Sequence, residues 1–376
     1  MSPALRIGAT GFGLIALCYG FARFAFGLFL PQIDAELKLG SSLSGVISGG
    51  SFAGYCISII VAAALTERFG SRTVAIAAAL LAAIGMAGIA LAPSPALLAV
   101  AVIVAGASSG LASPPMAAAV DAAVSADRQN ATNTIINAGT SAGIALSGPI
   151  ALAANGQWRT TFAIFAGIAG VLAIGAAFAL PSSRSSLSAA GPPTITKPLR
   201  SLIVATFLAG MASTAIWSFG GQLVSQNLGW GPTGTAILWS CIGAGGIVGA
   251  WAGSLVSRFG LHRIHLLFCG VVAATIVAIG SGVATAGIVL AGGTLFGAGY
   301  IMLTGVYLIW GVSALPDRPA TGLTIGFLTL AIGQTVGAPI FGMIVAGAGT
   351  GTATIAFAVL ALSAGLMRAG FDPAPK

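Results

Sequence analysis

The chain has 376 residues, of which only 6% are charged and 57% are apolar, and its formal net charge is +8. Soluble domains carry about 25% charged residues, so this composition excludes a water-soluble protein and predicts one that folds in lipid. A nucleic-acid-binding role, which the positive charge first suggests, is excluded because the lysines and arginines are spread singly along the chain. The basic residues instead indicate the topology of a membrane protein.

The sequence predicts an all-α polytopic membrane protein with about twelve spanning helices in two groups of six. Each span needs about 20 apolar residues, so the length leaves no room for a separate soluble domain. A segment rich in Ser, Pro and Gly separates the two groups. Apolar runs between polar breaks place the helices at 7–30, 44–65, 73–92, 96–120, 130–153, 161–180, 201–224, 234–256, 264–284, 287–314, 321–346 and 352–367.

The predicted domains are an N-terminal half at 1–180, a cytoplasmic linker at 181–199 and a C-terminal half at 200–376. With both termini in the cytoplasm, Lys38 and Arg159 are the loop cations left outside, while the others, including Arg184 and Lys376, lie inside. This bias fixes the orientation by the positive-inside rule. We therefore predict a multi-pass, monomeric protein of a bacterial inner membrane, surrounded by the lipid bilayer, with both termini cytoplasmic.

An internal repeat relates the two halves. An offset of 190 residues (257 minus 67) superimposes several landmarks without a gap. A tandem copy with an even number of spans keeps its orientation, so the six-helix bundles should be related by a pseudo-two-fold axis along the membrane normal. The matched landmarks are Glu67 to Gly70 with Ser257 to Gly260, Asp127-Arg128 with Asp317-Arg318, Pro149 with Pro339, and Gly20 with Gly210.

The loop between the second and third helices reads Ala-Ala-Leu-Thr-Glu-Arg-Phe-Gly-Ser-Arg over residues 63–72. This order of residue types resembles the signature loop of the major facilitator superfamily, which has a small residue, Leu, an acid followed by a base, and Gly. Two positions differ, with Glu67 in place of the commoner Asp and Ser71 in place of a base. The resemblance implies that superfamily's fold, a secondary transporter that works by alternating access, and gating by loop residues. The implied gating residues, whose alternative role is to set topology by charge, are Glu67, Arg68, Gly70, Arg72, Asp127, Arg258 and Asp317.

A narrower resemblance lies in the first helix. The run Gly-Phe-Ala-Arg-Phe at residues 20–24 resembles that of the YbfB/YjiJ-like bacterial branch of the superfamily. That branch is little characterised, so the resemblance implies no particular substrate.

Arg23 is the charged residue that the sequence places deep inside a span. Burying a guanidinium at mid-membrane costs several kcal/mol unless water, a partner or a ligand compensates. Its planar fork of donors suits a carboxylate, so we predict a transporter of a small organic anion, and the repeat mate Ser213 makes the site asymmetric. The alternative is that Arg23 is structural, holding two helices together through backbone carbonyls and polar side chains, in an exporter of a neutral or amphiphilic compound.

Other predicted substrate-binding residues are polar or aromatic side chains inside spans. The fifth helix carries a polar stripe at helical spacing that is costly against hydrocarbon and should face a cavity or the seam between halves. Tyr300, Thr304 and Tyr307 form one face of the tenth helix, and the alternative for such aromatic residues is packing or interface anchoring. The predicted substrate site comprises Arg23, Tyr19, Asn133, Asn137, Trp217, Tyr300 and Tyr307.

No enzyme chemistry is predicted. The spans offer no nucleophile with a base, no paired carboxylates and no metal-ligand cluster, so we expect no cofactor, and the four cysteines are interpreted as free thiols. His262 and His265 are expected in a solvated cytoplasmic loop, which leaves the spans without a protein carrier for a coupling proton. Anion exchange, uniport, or symport with the proton on the substrate or on Asp121 remain open.

Overall fold

The computed structural model describes residues 2–182, 194–282 and 284–370. Most of the predicted linker at 181–199, together with Arg184 and Lys376, lies outside these residues. Within them, regular secondary structure is helical throughout, and eleven segments are long and apolar enough to cross a membrane. The last of these, Pro319–Gly365, is two helices joined at Gly349, whose φ of 86° breaks the helical backbone. Eleven plus one gives the twelve predicted helices, and the predicted fold class is confirmed.

The spanning helices follow the predicted order. Three of them contain short parts that depart from the α-helix: the first is π-helical at Ala16–Phe24, the seventh is interrupted after Trp217, and the eighth is a 3-10 helix at Gly246–Trp251. In chain order they are α1 (Pro3–Leu37), α2 (Gly40–Phe69), α3 (Ser71–Leu91), α4 (Pro95–Ala123), α5 (Ala126–Ala153), α6 (Trp158–Ala179), α7 (Lys197–Trp217 and Gly220–Leu228), α8 (Pro232–Phe259), α9 (Leu261–Gly280), α10 (Ala286–Ala314), α11 (319–348) and α12 (350–365).

Local sequence signals explain where several helices begin and end. Ser94 caps α4 by accepting a hydrogen bond from the Leu97 N–H at 3.5 Å, and Pro95 follows at the first helical position. Gly70 ends α2 with φ 83°, and its repeat mate Gly260 ends α8 with φ 85°. A side chain is disfavoured at both places because this backbone conformation crowds a Cβ atom. The repeat therefore extends to backbone dihedral angles.

Packing divides the chain into two compact units. The first comprises Met1–Leu39 and Gly50–Ala189, and the second comprises Gly40–Gly49 and Ala190–Lys376. The start of α2 thus groups with the second unit, where Ser48 Oγ donates a hydrogen bond to Ser218 Oγ at 2.6 Å. A Cβ atom at Gly45 would collide with the main chain at Ala338, so only a glycine permits this contact between α2 and α11.

An equivalent pair of helices is in direct backbone contact in each unit. In the first unit, Gly20 of α1 lies against the main chain of Gly143 on α5. In the second unit, Gly210 of α7 lies against the main chain of Leu330 on α11, and Gly333 lies against Phe207. Gly20 matches Gly210 and Gly143 matches Gly333 in the 190-residue register (210 minus 20, 333 minus 143). Small residues let membrane helices approach this closely.

Replacing Gly143 with valine is expected to destabilise the first unit. A Cβ atom at Gly143 would overlap the Ala16 carbonyl, and forcing helices apart costs about 1–3 kcal/mol. The Gly143→Val protein should unfold at a temperature several degrees lower in detergent. The matched control is Gly167→Val on α6, where no atom lies within 4 Å of the added carbon. Equal unfolding temperatures for the two variants would show that the α1–α5 contact is not tight.

Candidate functional site

Arg23 lies in the π-helical part of α1 and is only 6% exposed. π-helical turns bond each N–H to the carbonyl five residues back, and they occur frequently at functional sites. The extra residue per turn rotates Arg23 relative to the position that an uninterrupted α-helix would give it. The charged side chain predicted to lie deep inside a span is therefore buried in the first unit.

Four aromatic rings surround the Arg23 guanidinium. The distances from its central carbon to the ring centroids are 4.1 Å for Tyr55, 5.1 Å for Phe52, 5.2 Å for Phe24 and 5.6 Å for Tyr19. Tyr19 and Phe24 belong to α1, whereas Phe52 and Tyr55 come from α2. Contacts in this range are cation–π interactions, which gain strength where water is excluded. We call these four rings the aromatic cage.

The edge of the aromatic cage is polar. The Tyr19 hydroxyl and Ser113 Oγ of α4 are 3.0 Å apart and share a hydrogen bond. The ring of Tyr19 meets that of Tyr55 edge to face, with centroids 6.2 Å apart. Phe52 and Tyr55 were not predicted as site residues, although aromatic residues three apart on α2 share one helix face and so offered a signal.

Acidic side chains of the first unit lie at helix ends. On α1 itself, Asp34 is eleven residues from Arg23 (34 minus 23), which is about 16 Å along a helix axis. Glu36 accepts hydrogen bonds from Trp158 Nε1 at 2.9 Å and from Arg159 at 2.8 Å, tying the end of α1 to the start of α6. The remaining acids of this unit's described residues are Glu67, Asp121 and Asp127, which also lie near helix ends.

The second unit contains a neutral polar cluster around Gln334 of α11. Gln334 Nε2 donates hydrogen bonds to Tyr300 Oη at 3.0 Å and to Ser213 Oγ at 3.2 Å. The Trp217 ring packs edge-on against Tyr300 with centroids 5.2 Å apart. Ser213 is the repeat mate of Arg23, so this cluster occupies the equivalent place in the second unit. Gln334 was missed by sequence reasoning, although it is the sole amide side chain in residues 319–365.

The remaining predicted substrate residues lie apart from these clusters or have other partners. Asn133 of α5 is half-buried and Asn137 is exposed. Tyr307 is 2% exposed, and its hydroxyl lies 3.1 Å from His265 Nε2. The expectation that His265 is solvated in a loop is wrong, because α9 begins at Leu261 and buries this histidine completely.

The predicted gating residues have mostly local contacts. Arg72 Nε donates to the Leu180 carbonyl at 2.6 Å, and Ser71 Oγ donates to the Pro181 carbonyl at 2.8 Å, so the start of α3 is tied to the end of α6. Asp127 forms an exposed ion pair with the adjacent Arg128 at 3.7 Å. Arg68, Arg258 and Asp317 are exposed, Glu67 is half-buried, and Gly70 forms the turn described above.

Residues 12–338 match the sequence profile of the family described as Major Facilitator Superfamily. No curated protein sequence matches the chain. The xylose transporter XylE from E. coli, in an inward-open conformation, is similar at a TM-score of 0.81 and 14% identity, covering 99% of this chain and 98% of that one. The nucleoside transporter NupG is similar at 0.77 and 12% identity, covering 98% and 99%. A bacterial homologue of the human lysosomal transporter Spinster is similar at 0.75 and 14% identity, covering 97% and 95%.

Proposed function

This chain belongs to the major facilitator superfamily, and we propose that it transports a small organic anion that is anchored by Arg23. Membership makes the protein a multi-pass membrane transporter of a small molecule, and not an enzyme. The substrate class rests on one observation, the burial of the Arg23 guanidinium inside the aromatic cage of a membrane-spanning unit.

The chemistry of the guanidinium favours an anionic ligand beside the aromatic cage. Aromatic faces attract the positive charge above and below its plane, but a guanidinium also has five N–H donors directed within that plane. A carboxylate matches two of these donors at once and supplies a formal negative charge. A carboxylate that reaches Arg23 beside the aromatic cage is therefore the class of substrate that this chemistry favours.

We also propose supporting roles for other residues. Tyr19, Asn133 and Asn137 in the first unit, and Trp217, Tyr300 and Tyr307 in the second, contact the substrate during the transport cycle. The loop residues Glu67, Arg68, Gly70, Arg72, Asp127, Arg258 and Asp317 act in gating. The protein works as a monomer in a bacterial inner membrane, with both termini cytoplasmic and the six-helix halves 1–180 and 200–376 joined by the linker.

A second candidate is the export of a neutral or amphiphilic compound, with Arg23 in a structural role. It is favoured by the closeness of the aromatic cage, which leaves Arg23 only 6% exposed. The cluster of Gln334, Tyr300 and Ser213 in the second unit is uncharged and presents amide and hydroxyl groups, which suit a neutral polar substrate.

Ligand-dependent thermal stability separates the two candidates. A compound that binds only the folded state raises the free energy of unfolding, by about 2.7 kcal/mol when its concentration is 100 times its dissociation constant. The unfolding temperature rises with it. We expect a small carboxylate, tested as pyruvate, benzoate and succinate, to stabilise the purified protein. Xylose and uridine serve as neutral comparisons. Stabilisation by neutral compounds alone would favour the second candidate and contradict the first.

A further inference from the structure

Tyr19 is the accessible point on the part of α1 that carries Arg23. Residues 14–30 of α1 are buried apart from Tyr19, which is half-buried. Its ring centroid lies 5.6 Å from the central carbon of the Arg23 guanidinium, so its hydroxyl group belongs to the edge of the aromatic cage. On α4, residues 108–112 are buried, whereas Ser113 directly after them is half-buried. A partly open place beside Arg23 in the first unit thus presents two hydroxyl groups.

These two hydroxyl groups are hydrogen-bonded to each other. Tyr19 Oη and Ser113 Oγ are 3.0 Å apart, and one of the two groups donates to the other. By contrast, Ser108 and Ser109 on the same helix donate to carbonyl groups of their own helix, at 2.6 and 2.7 Å. Two hydroxyl groups have two donor hydrogens and use one between them, which leaves one donor and several lone pairs for other partners. We call Tyr19 and Ser113 the hydroxyl pair.

Two prolines add hydrogen-bond acceptors next to the hydroxyl pair. Pro114 and Pro115 follow Ser113 inside α4 and have no N–H to donate. In an α-helix, the N–H groups at these positions would bond to the carbonyl groups four residues back, at Gly110 and Leu111. Membrane helices that contain proline satisfy such carbonyl groups with other donors, among them hydroxyl groups and water. A ligand that donates a hydrogen bond is therefore favoured here over one that only accepts.

We propose that the transported anion is a 2-hydroxycarboxylate, whose carboxylate binds Arg23 and whose hydroxyl group binds the hydroxyl pair. This inference rests on the proposed function, because it requires an anion at Arg23, and it deepens that function by naming the class of anion. The hydroxyl group of such a compound accepts a hydrogen bond from the hydroxyl pair and donates one to a carbonyl group of α4. Tyr19 and Ser113 then determine which carboxylates the protein selects.

The spacing of these groups suits a hydroxyl group on the carbon next to the carboxylate. Hydrogen bonds from a guanidinium to a carboxylate span about 2.7–2.9 Å, and those between hydroxyl groups span about 2.7–2.8 Å. One small molecule can therefore bond to both side chains across the 5.6 Å between the Arg23 central carbon and the Tyr19 ring. A carboxylate without the hydroxyl group leaves the hydroxyl pair without a partner from the ligand. Sites built to bond a substrate hydroxyl discriminate against analogues that lack it.

Matched carboxylates test this proposal by calorimetry on the purified full chain. Lactate and propionate differ only by the 2-hydroxyl group, and mandelate and phenylacetate form a larger pair with the same difference. We expect one enantiomer of each hydroxylated compound to bind about 2- to 12-fold more tightly than its partner, which is the range for one neutral hydrogen bond. Lactate should also bind more tightly than pyruvate, because the 2-oxo group of pyruvate accepts hydrogen bonds and cannot donate one.

Two conservative substitutions assign the effect to the hydroxyl pair. Tyr19→Phe keeps the ring in the aromatic cage and removes its hydroxyl group, and Ser113→Ala removes the other hydroxyl group. The affinity ratio within each carboxylate pair should fall in both variants and approach one in the double variant, with little change for propionate and phenylacetate. Ser109→Ala is the matched control, because Ser109 donates to its own helix, and it should keep the ratio of the unmodified chain.

The outcomes separate this inference from the anion proposal. Equal binding within both pairs by the unmodified chain, tighter binding of pyruvate than of lactate, or an unchanged ratio in the double variant would overturn the 2-hydroxycarboxylate site and leave the anion at Arg23 in place. Failure of every carboxylate to bind would contradict both proposals.

Discussion

Arg23→Gln is expected to weaken binding of a stabilising carboxylate by about 10- to 150-fold, because a hydrogen bond to a charged group contributes about 1.5–3 kcal/mol. Glutamine keeps part of the side-chain volume and some hydrogen-bonding capacity but removes the charge. Arg23→Lys keeps the charge and loses the planar fork, so its affinity should fall between that of glutamine and that of arginine. Titration of the purified variants by calorimetry gives the dissociation constants.

The control for the loss of a positive charge is Arg200→Gln. Arg200 lies near the start of α7 and is exposed, so its replacement should leave carboxylate affinity unchanged. Unfolding temperatures without ligand show whether the Arg23 variants remain folded, since the aromatic cage also loses a partner. Well-folded Arg23→Gln protein that binds the carboxylate as tightly as the unmodified chain would exclude the anion site.

The second large effect is expected from a disulfide between positions 48 and 218. Ser48 and Ser218 place their hydroxyl oxygens 2.6 Å apart, so cysteines there can reach the S–S distance of about 2.05 Å with little backbone movement. Position 48 belongs to the first predicted half and position 218 to the second. Alternating access requires the halves to part at one side of the membrane in turn, and a covalent link at this place prevents it.

Uptake of the stabilising carboxylate by proteoliposomes should therefore fall in proportion to the cross-linked fraction of the Ser48→Cys/Ser218→Cys protein. Reduction with dithiothreitol should restore it. The single substitutions Ser48→Cys and Ser218→Cys, treated with the same oxidant, control for damage to the native cysteines. Full transport by the cross-linked protein would mean that the start of α2 stays on α7 throughout the cycle.

The sequence predicted the helices and the duplication because both depend on patterns that are local or regular. Hydropathy fixes a span wherever about 20 apolar residues follow one another. The signature loop predicts a tight turn at Gly70, and Gly70 and its repeat mate Gly260 both have a positive φ. The family resemblance drawn from the loop at 63–72 is confirmed by the match over residues 12–338.

The surroundings of each polar side chain were harder to predict, because they depend on which helices meet. The burial of Arg23 was expected, but Phe52 and Tyr55 join it from α2 only through tertiary packing. His265 was misjudged because its neighbours His262 and Arg263 are polar, while α9 starts at once after Gly260. The π-helical turns at Ala16–Phe24 leave no sign in hydropathy.

Those π-helical turns have a consequence for sequence comparison and for engineering. A π-helical turn holds one residue more than an α-helical turn, so a relative that is one residue shorter within 16–24 would run through this region as a plain α-helix. Alignments of this region should place a single gap there instead of shifting the whole helix. The same deletion made in this chain would leave the flanking helix in register while swinging position 23 away from Phe52 and Tyr55.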